Sequence, residues 1–239
     1  MVEFYAFVLY RVYIYIYLLF QKASWDTVLP MNIEDAVQIL IKAIKNVERR
    51  YIVIDGIPKT KIKKEQVERS FAYELYHQWS LLIEEYYLKH KEERQLILNG
   101  EITKHLDGQP TYPDMVFHGG QSNVKDQLII CELKRAEKKY PSPKKVCNDF
   151  EKLNAYLELT LPNGNDDAHY QQAVFIMVNE SVCNLKSRII KALKTSQKLN
   201  EIKENAKRIL CISYTPQEDS RKGEVNPETF LLKDILNEI

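Results

Sequence analysis

Two carboxylates and one ammonium group stand at the ends of two apolar segments of this sequence. Asp114 lies near the start of YPDMVFH, and Glu132 and Lys134 lie near the end of QLIICELKR. Because side chains alternate along a strand, Glu132 and Lys134 would share one face. Two carboxylates in one place repel each other, and a divalent cation removes that cost. Oxygen ligands suit Mg²⁺, which substrate phosphates often complete, so these residues point to phosphate chemistry.

The connection between the two segments predicts a β-hairpin. Residues 119–126, GGQSNVKD, are rich in turn-forming types. A turn centred on Asn123 places Asp114 opposite Glu132, with Cβ atoms about 5 Å apart. Chance is the competing interpretation, because 28% of the residues are charged and Glu-x-Lys occurs three times. Only the motif at 132–134 follows four consecutive apolar residues, which favours function.

A helical segment before the hairpin offers another carboxylate. In residues 65–89, apolar side chains recur at every third or fourth position, the pattern of an amphipathic helix. Glu74 lies beside that apolar stripe. It could complete a metal site, and a solvated position on the flank of the helix is the alternative.

The remaining periodicities predict a single α/β domain. In chain order they predict a helix at 65–89, strands at about 95–103, 112–118 and 127–135, a helix at 145–160, a strand at 171–178, a helix at 183–206 and a strand at 208–214. Strands that alternate with helical patterns favour a mixed central sheet flanked by helices. Terminal helices are expected after Asn32 and from Asn226-Pro227 to Leu236.

These residues and this order of elements resemble the PD-(D/E)XK nucleases, the restriction-endonuclease-like phosphodiesterases. The resemblance rests on Glu74, Pro113-Asp114 and Glu132-x-Lys134, and on the order α-β-β-β-α-β. It extends over about residues 60 to 215. The resemblance implies a restriction-endonuclease-like core at 61–215.

The resemblance also implies a reaction, the Mg²⁺-dependent hydrolysis of nucleic-acid phosphodiesters by an endonuclease, with DNA as the expected substrate. By this comparison Asp114, Glu132 and Glu74 would ligate Mg²⁺, or Mn²⁺ in its place. Lys134 would position the attacking water and offset the negative charge that develops at phosphorus.

Basic residues flank the expected site, although the net charge of the chain is only +1. Such residues could neutralise backbone phosphates, and an ordinary solvated surface is the alternative. The candidates for nucleic-acid binding are Lys63, Lys64, Arg135, Lys138, Lys139, Lys144, Lys145 and Lys152. A homodimer or a partner protein could supply target choice.

Other chemistries find little support in the sequence. The four cysteines show no C-x-x-C spacing, and the five histidines show no H-E-x-x-H pattern, so no zinc site is predicted. No phosphate-binding glycine loop is present, which leaves nucleoside triphosphate hydrolysis unsupported. Without a secretory context, reduced thiols in the cytoplasm are expected.

The two ends of the chain are expected to lie outside the core. Residues 4–20 approach the length of a membrane-spanning helix, but Arg11 interrupts them. We therefore expect residues 1–30 to be a dispensable extension, with a weak membrane anchor as the alternative. Residues 31–60 would form a helix and linker, and residues 216–239 a loop and short helix.

Two further function classes stay open. One is a catalytically inactive nucleic-acid-binding relative with the same fold. The other is a structural or interaction protein in which the charges form an ion network.

Overall fold

The computed structural model describes residues 31–52, 64–91, 96–101, 104–106, 109–119, 127–137, 140–159, 169–216 and 225–238. The elements named below belong to one compact unit, Ile33–Ile239. The interpretations of residues 1–30 and of the 120–126 turn lie outside the described residues.

Helices and strands alternate along this unit. The helices are α1 (Ile33–Asn46), α2 (Lys64–His90), α3 (Pro143–Leu157), α4 (Val182–Leu193) and α5 (Leu199–Asn205). The strands are β1 (Ile97–Gly100), β2 (Lys104–Leu106), β3 (Gln109–Thr111), β4 (Met115–His118), β5 (Gln127–Arg135), β6 (Gln172–Val178), β7 (Ile209–Tyr214) and β8 (Glu228–Leu231). Short 3-10 helices lie at Arg49–Tyr51, Ala206–Arg208 and Leu232–Glu238.

Six of the described strands form one mixed sheet in the order β1-β4-β5-β6-β7-β8. The central strands β5, β6 and β7 are parallel, and the strands on either side of them pair antiparallel. Strands β2 and β3 pair with each other in a separate two-stranded sheet. The prediction of a mixed α/β fold with helices packed on a central sheet is confirmed.

Over Met115–Phe117 the β4–β5 pair has the register that the sequence predicts, and the register shifts between Phe117 and His118. Met115 pairs with Cys131 and Phe117 with Ile129. Asp114 directly precedes β4, and its amide donates to the carbonyl of Cys131 at 3.1 Å. The start of β4 is therefore fixed beside the segment of β5 that carries Glu132.

Side chains alternate across the sheet and separate its two faces. Ile130 and Phe175 belong to the core beneath α3, α4 and α5, where the rings of Phe150 and Phe175 lie 4.8 Å apart. The residues at positions 132 and 134 share the face of Ile130 because strand side chains alternate. They therefore lie on the side of the sheet that α3 covers.

Helix α2 packs on the opposite face. Its Trp79 ring lies 5.8 Å from the ring of Phe117 in β4, and both side chains are fully buried. The predicted apolar stripe of this helix is thus the face that meets the sheet.

Two predicted helices differ from the structure. The segment at 183–206 forms two helices with a break at 194–198, where the hydroxyl of Thr195 donates to the carbonyl of Ala192 and so competes with helix continuation. The segment after Pro227 forms β8 in place of a helix, because pairing with β7 satisfies its backbone and buries Phe230 against the core. A 3-10 helix follows β8.

Two predicted strands are shorter than expected. The segment at 112–118 is extended only from Met115 onward, and the segment at about 95–103 forms a strand over Ile97–Gly100. The pair β2 and β3 follows β1 and was not predicted from the sequence.

All four cysteines are free thiols, and Cys131, Cys147 and Cys211 are buried. Among the described residues, no helix has both the length and the apolar character needed to cross a membrane.

The packing predicts which side chains the fold needs for its stability. Phe175→Ala should lower the free energy of unfolding by about 3–5 kcal/mol, because it leaves a cavity in the central strand under Phe150. Leu88→Ala, at a side chain that is 78% exposed, should stay within about 0.5 kcal/mol of the parent. Urea unfolding followed by circular dichroism measures both, and equal losses would contradict the assignment of the core.

Candidate active site

The ammonium group of Lys134 is surrounded by carboxylates from three parts of the fold. Its Nζ lies 3.6 Å from Asp114 Oδ2, 3.5 Å from Glu132 Oε2 and 3.5 Å from Asp149 Oδ2. It also donates to the carbonyl oxygen of Leu133 at 2.8 Å. Only 3% of Lys134 is exposed, so the protein and not water solvates this charge.

A second ammonium group joins this arrangement from α3. Lys152 Nζ lies 2.5 Å from Glu132 Oε1 and 4.0 Å from Asp149 Oδ1. About a third of the Lys152 side chain is exposed, so it closes the outer side of the group. Asp114, Glu132, Lys134, Asp149 and Lys152 together are called the Lys134 cluster below.

Each side chain of the cluster is held by its element. Strand β5 places Glu132 and Lys134 on one face, and α3 lies over that face. The α3 helix begins at an N-cap, Ser142, whose hydroxyl accepts from the amide of Lys145. Asp114 directly precedes the neighbouring strand β4, and its Oδ2 accepts a hydrogen bond of 2.6 Å from the amide of Leu133.

Burial and crowding of like charges perturb the carboxyl groups. Burial raises the pKa of Glu132 to about 7, and the Asp114 carboxylate adds to this, while Lys134 and Lys152 oppose it. Burial also raises the pKa of Asp149 above its ordinary value. Burial by itself would lower the pKa of Lys134, but Asp114, Asp149 and Glu132 together raise it above its ordinary value. Lys134 is therefore a fixed cation and not a proton acceptor at neutral pH.

The cluster holds more negative than positive groups. Three carboxyl groups face two ammonium groups, and the negative excess is complete only when the pH exceeds the raised pKa of Glu132, about 7. Asp149 Oδ2 is buried and accepts no hydrogen bond in the described part of the chain. The donors are all oxygens, the type that Mg²⁺ prefers, so the donor type and the charge fit a divalent cation.

The arrangement of the donors is not that of a formed metal centre. No group of three or more His, Cys, Asp or Glu side chains within the described ranges is placed to hold a metal ion. The reason lies in the cluster itself, because the Lys134 ammonium occupies the point on which the three carboxylates converge. Of these carboxylates, Asp114 is the most exposed, at 29% of its side chain.

Asp114 connects the cluster to an open cavity of about 360 Å³ between α2, β1 and the start of β4. This cavity is called the Asp114 cavity below. Tyr73, Tyr76, Gly100 and Glu101 also line it. A ligand in the cavity would thus lie beside Asp114, the residue whose carboxylate contacts Lys134.

Glu74 and Glu68 differ in what they contact. Gln78 donates to the carboxylate of Glu74 at 2.7 Å, one turn further along α2. Glu68 instead accepts from the amide of Arg135 at 3.1 Å, at the end of β5. Burial raises the pKa of Glu68, and the charge of Lys134 opposes this rise. The role of Glu74 stays a prediction, and Glu68 is the α2 carboxylate that the described contacts bring to β5.

Glu68 and Asp149 were not among the predicted site residues, although their positions in the sequence contain signals that could have identified them. Glu68 precedes Phe71 and Leu75 by three and seven positions, which puts it on the buried stripe of α2, whereas Glu74 is on the flank. Asp149 follows Val146 by three positions and stands in the inward stripe of α3. A carboxylate within an apolar stripe requires a buried cation, and Lys134 is that cation.

The remaining basic candidates divide into three groups. Arg135 is built into the fold, since its Nε donates to the carbonyl of Ile52 and its guanidinium pairs with Glu137. Lys145 donates to the hydroxyl of Tyr140, whereas Lys144 is exposed on α3. Lys63, Lys138 and Lys139 lie outside the described residues, as does the side chain of Lys64.

Comparison with known proteins adds no family to this description. Neither protein-family models, nor curated proteins, nor solved structures yield a match to the chain.

The raised pKa of Glu132 makes stability depend on pH. A carboxyl group with a raised pKa stabilises the folded state below its ordinary value of 4.5, and this stabilisation is lost as the pH rises through about 7. Glu132→Gln removes that ionisation. Without divalent cations, the variant should gain on the order of 3 kcal/mol relative to the parent between pH 4.5 and 8.

Urea unfolding of both proteins in EDTA across this range measures the difference. A constant difference at all pH values would show that Glu132 does not titrate as the cluster requires.

Proposed function

We propose that this protein is a Mg²⁺-dependent nuclease that hydrolyses phosphodiester bonds of nucleic acid, with DNA as the preferred substrate. One observation carries the proposal: the buried ammonium of Lys134 lies within 3.6 Å of both Asp114 and Glu132. These are the three residues whose types and spacing suggested phosphate chemistry. A restriction-endonuclease-like core is part of the same proposal.

Asp114 and Glu132 are the residues that would hold the metal ion. Their oxygens have the right chemistry, and Asp114 also lines the open Asp114 cavity, so the site is not closed to solvent on that side. Bound there, the ion would supply a Lewis acid and an activated water. Its charge would also oppose the effects of burial and of the Asp114 carboxylate that raise the pKa of Glu132.

Lys134 contributes a fixed positive charge. Because the surrounding carboxylates keep it protonated, it can hold a phosphate oxygen or orient a water, and it stabilises negative charge that develops during the reaction. Asp149 holds Lys134 from the side of α3 at 3.5 Å and thus acts as a positioning residue.

Lys152 supports a second candidate function. Its ammonium lies 2.5 Å from Glu132 and supplies positive charge to that carboxylate without a metal ion. A nucleic-acid-binding protein without catalytic activity would have this arrangement. Such a protein would bind the same ligands and release no cleavage products with any divalent cation.

Cleavage assays with purified protein test the proposal. Linear, circular and single-stranded DNA and RNA would be incubated with Mg²⁺, Mn²⁺ or EDTA. Asp114→Asn and Glu132→Gln should each lower the rate by about 100-fold or more, because each weakens the hold on the metal ion, and Lys134→Gln should do so because it removes the positive charge that offsets the developing negative charge. Cleavage that survives EDTA, or that is equal in all variants, would point to a contaminating enzyme and remove support for the proposal.

Binding of the ion gives a readout that is independent of cleavage. Mg²⁺ should raise the free energy of unfolding of the parent protein at pH 8, and it should do so much less in Glu132→Gln. Equal stabilisation of both proteins would place the ion elsewhere.

The two α2 carboxylates are distinguished by a matched pair of substitutions. Glu68→Gln should lower the cleavage rate by about 10-fold or more, because Glu68 contacts the end of β5 that carries Lys134. Glu74→Gln should change it by less than about 3-fold if Glu68 is the residue that supports the site. The reverse order would restore Glu74 as the functional carboxylate.

A further inference from the structure

The Asp114 cavity has features that the proposed cleavage reaction does not use. Two aromatic side chains of α2, Tyr73 and Tyr76, line it and are 66% and 37% exposed. Large aromatic rings in a soluble protein are mostly buried, so two exposed rings on one cavity are a sign of ligand binding.

The two tyrosines are held differently. The hydroxyl of Tyr76 donates to the carbonyl of Leu98 in β1 at 3.1 Å, which fixes its ring against the sheet. Tyr73 lies three residues before Tyr76 on α2, and its exposed ring is available to stack on a planar group. The Tyr76 side of the cavity is thus held by the sheet, and the Tyr73 side presents an exposed ring.

The charged groups of the cavity define what it can accept. Glu101 and Asp114 line it, and no lysine or arginine is among its described lining residues. Two carboxylates repel a phosphate group but accept hydrogen bonds from amino groups. A neutral, flat ring that carries an amino group therefore fits better than a phosphate.

The size of the cavity is consistent with a single ring system. Its volume of about 360 Å³ is at the lower end of the range for small-ligand sites. A base inside a duplex is stacked and paired, so it could reach this cavity only after leaving the helix. An unpaired base meets no such barrier.

We infer that the Asp114 cavity binds an unpaired nucleobase by stacking it against Tyr73 and Tyr76, with amino-bearing bases preferred because Glu101 and Asp114 accept their hydrogen bonds. This inference rests on the proposed function and narrows it. The substrate is a nucleic acid that is single-stranded next to the phosphate at Lys134. Adenine, cytosine and guanine carry the amino group, and thymine and uracil lack it.

Binding measurements in EDTA test this separately from cleavage. Fluorescence anisotropy would compare short labelled oligo(dC), oligo(dA), oligo(dT), an abasic oligomer and a blunt duplex of the same length, with oligo(rC) as the RNA arm. Oligo(dC) and oligo(dA) should bind more tightly than oligo(dT), and the abasic oligomer and duplex should bind most weakly. Equal affinity for the abasic oligomer and oligo(dC) would overturn the inference.

Substitutions show whether the rings are responsible. Tyr73→Ala should weaken oligo(dC) binding by about 5- to 150-fold, the loss expected for one stacked base, while Tyr73→Phe keeps the ring and most of the affinity. Tyr112→Ala is the matched control, since Tyr112 is also an exposed tyrosine, at 57%, but does not line the cavity. Equal losses in Tyr73→Ala and Tyr112→Ala would assign binding to the general surface.

A second variant blocks the cavity without removing a ring. A Cβ at Gly100 would lie 3.8 Å from the carbonyl oxygen of Asp114 and 3.9 Å from the Tyr76 ring, both ordinary contacts. Gly100→Ala should therefore fold and bind, and Gly100→Leu should fill the cavity and weaken oligo(dC) binding as Tyr73→Ala does. Unchanged binding by a folded Gly100→Leu protein would exclude the cavity as the site.

The inference and the proposed function can fail separately. Base-dependent binding that requires Tyr73, without cleavage in Mg²⁺ or Mn²⁺, would support the inference and contradict the nuclease. Cleavage that requires Glu132 but proceeds equally on duplex and in Tyr73→Ala would support the nuclease and overturn the inference.

Discussion

The placement of one buried ammonium among three carboxylates is the constraint on which the site depends. Removing Lys134 from water is costly, and the cost is offset only because Asp114, Glu132 and Asp149 lie within 3.6 Å of its Nζ. Burial of Glu132, together with the nearby Asp114 carboxylate, raises its pKa to about 7. The cluster therefore holds Lys134 in its charged form while remaining short of positive charge itself.

Strands β4 and β5 and helix α3 bring the side chains of the Lys134 cluster together. The β4–β5 register brings Asp114 to the strand that carries Glu132 and Lys134, and α3 covers the same face with Asp149 and Lys152. Apolar packing between α3 and β6 fixes the distance at which these charges meet, as the contact of Phe150 with Phe175 illustrates. The apolar core is thus what keeps a strained electrostatic group in place.

Asp114 has a second function in the geometry, since it belongs both to the buried cluster and to the open cavity. One of its oxygens is fixed by the amide of Leu133 and by Lys134. The cavity beyond it is lined by tyrosines and carboxylates, while the described cations of the site lie in the cluster. Under the proposed function, this separation would give a phosphate and a base different places to bind, with Asp114 between them.

The sequence by itself determined the pairing of Met115–Phe117 with Ile129–Cys131, the shared face of Glu132 and Lys134, and the mixed α/β class, because strand alternation and the spacing of the two segments are local properties. Local signals failed where partners distant in sequence decide the structure. Pairing with β7 made residues 228–231 a strand. Only the packing of α3 on β5 brought Asp149 and Lys152 to the strand that carries Glu132 and Lys134. The helix periodicity places Glu68 on the buried stripe of α2, but only the packing of α2 on the sheet brings its carboxylate to the amide of Arg135 at the end of β5. Charge energetics explain the difference, because a buried ion acquires its partners from whichever elements the core brings together.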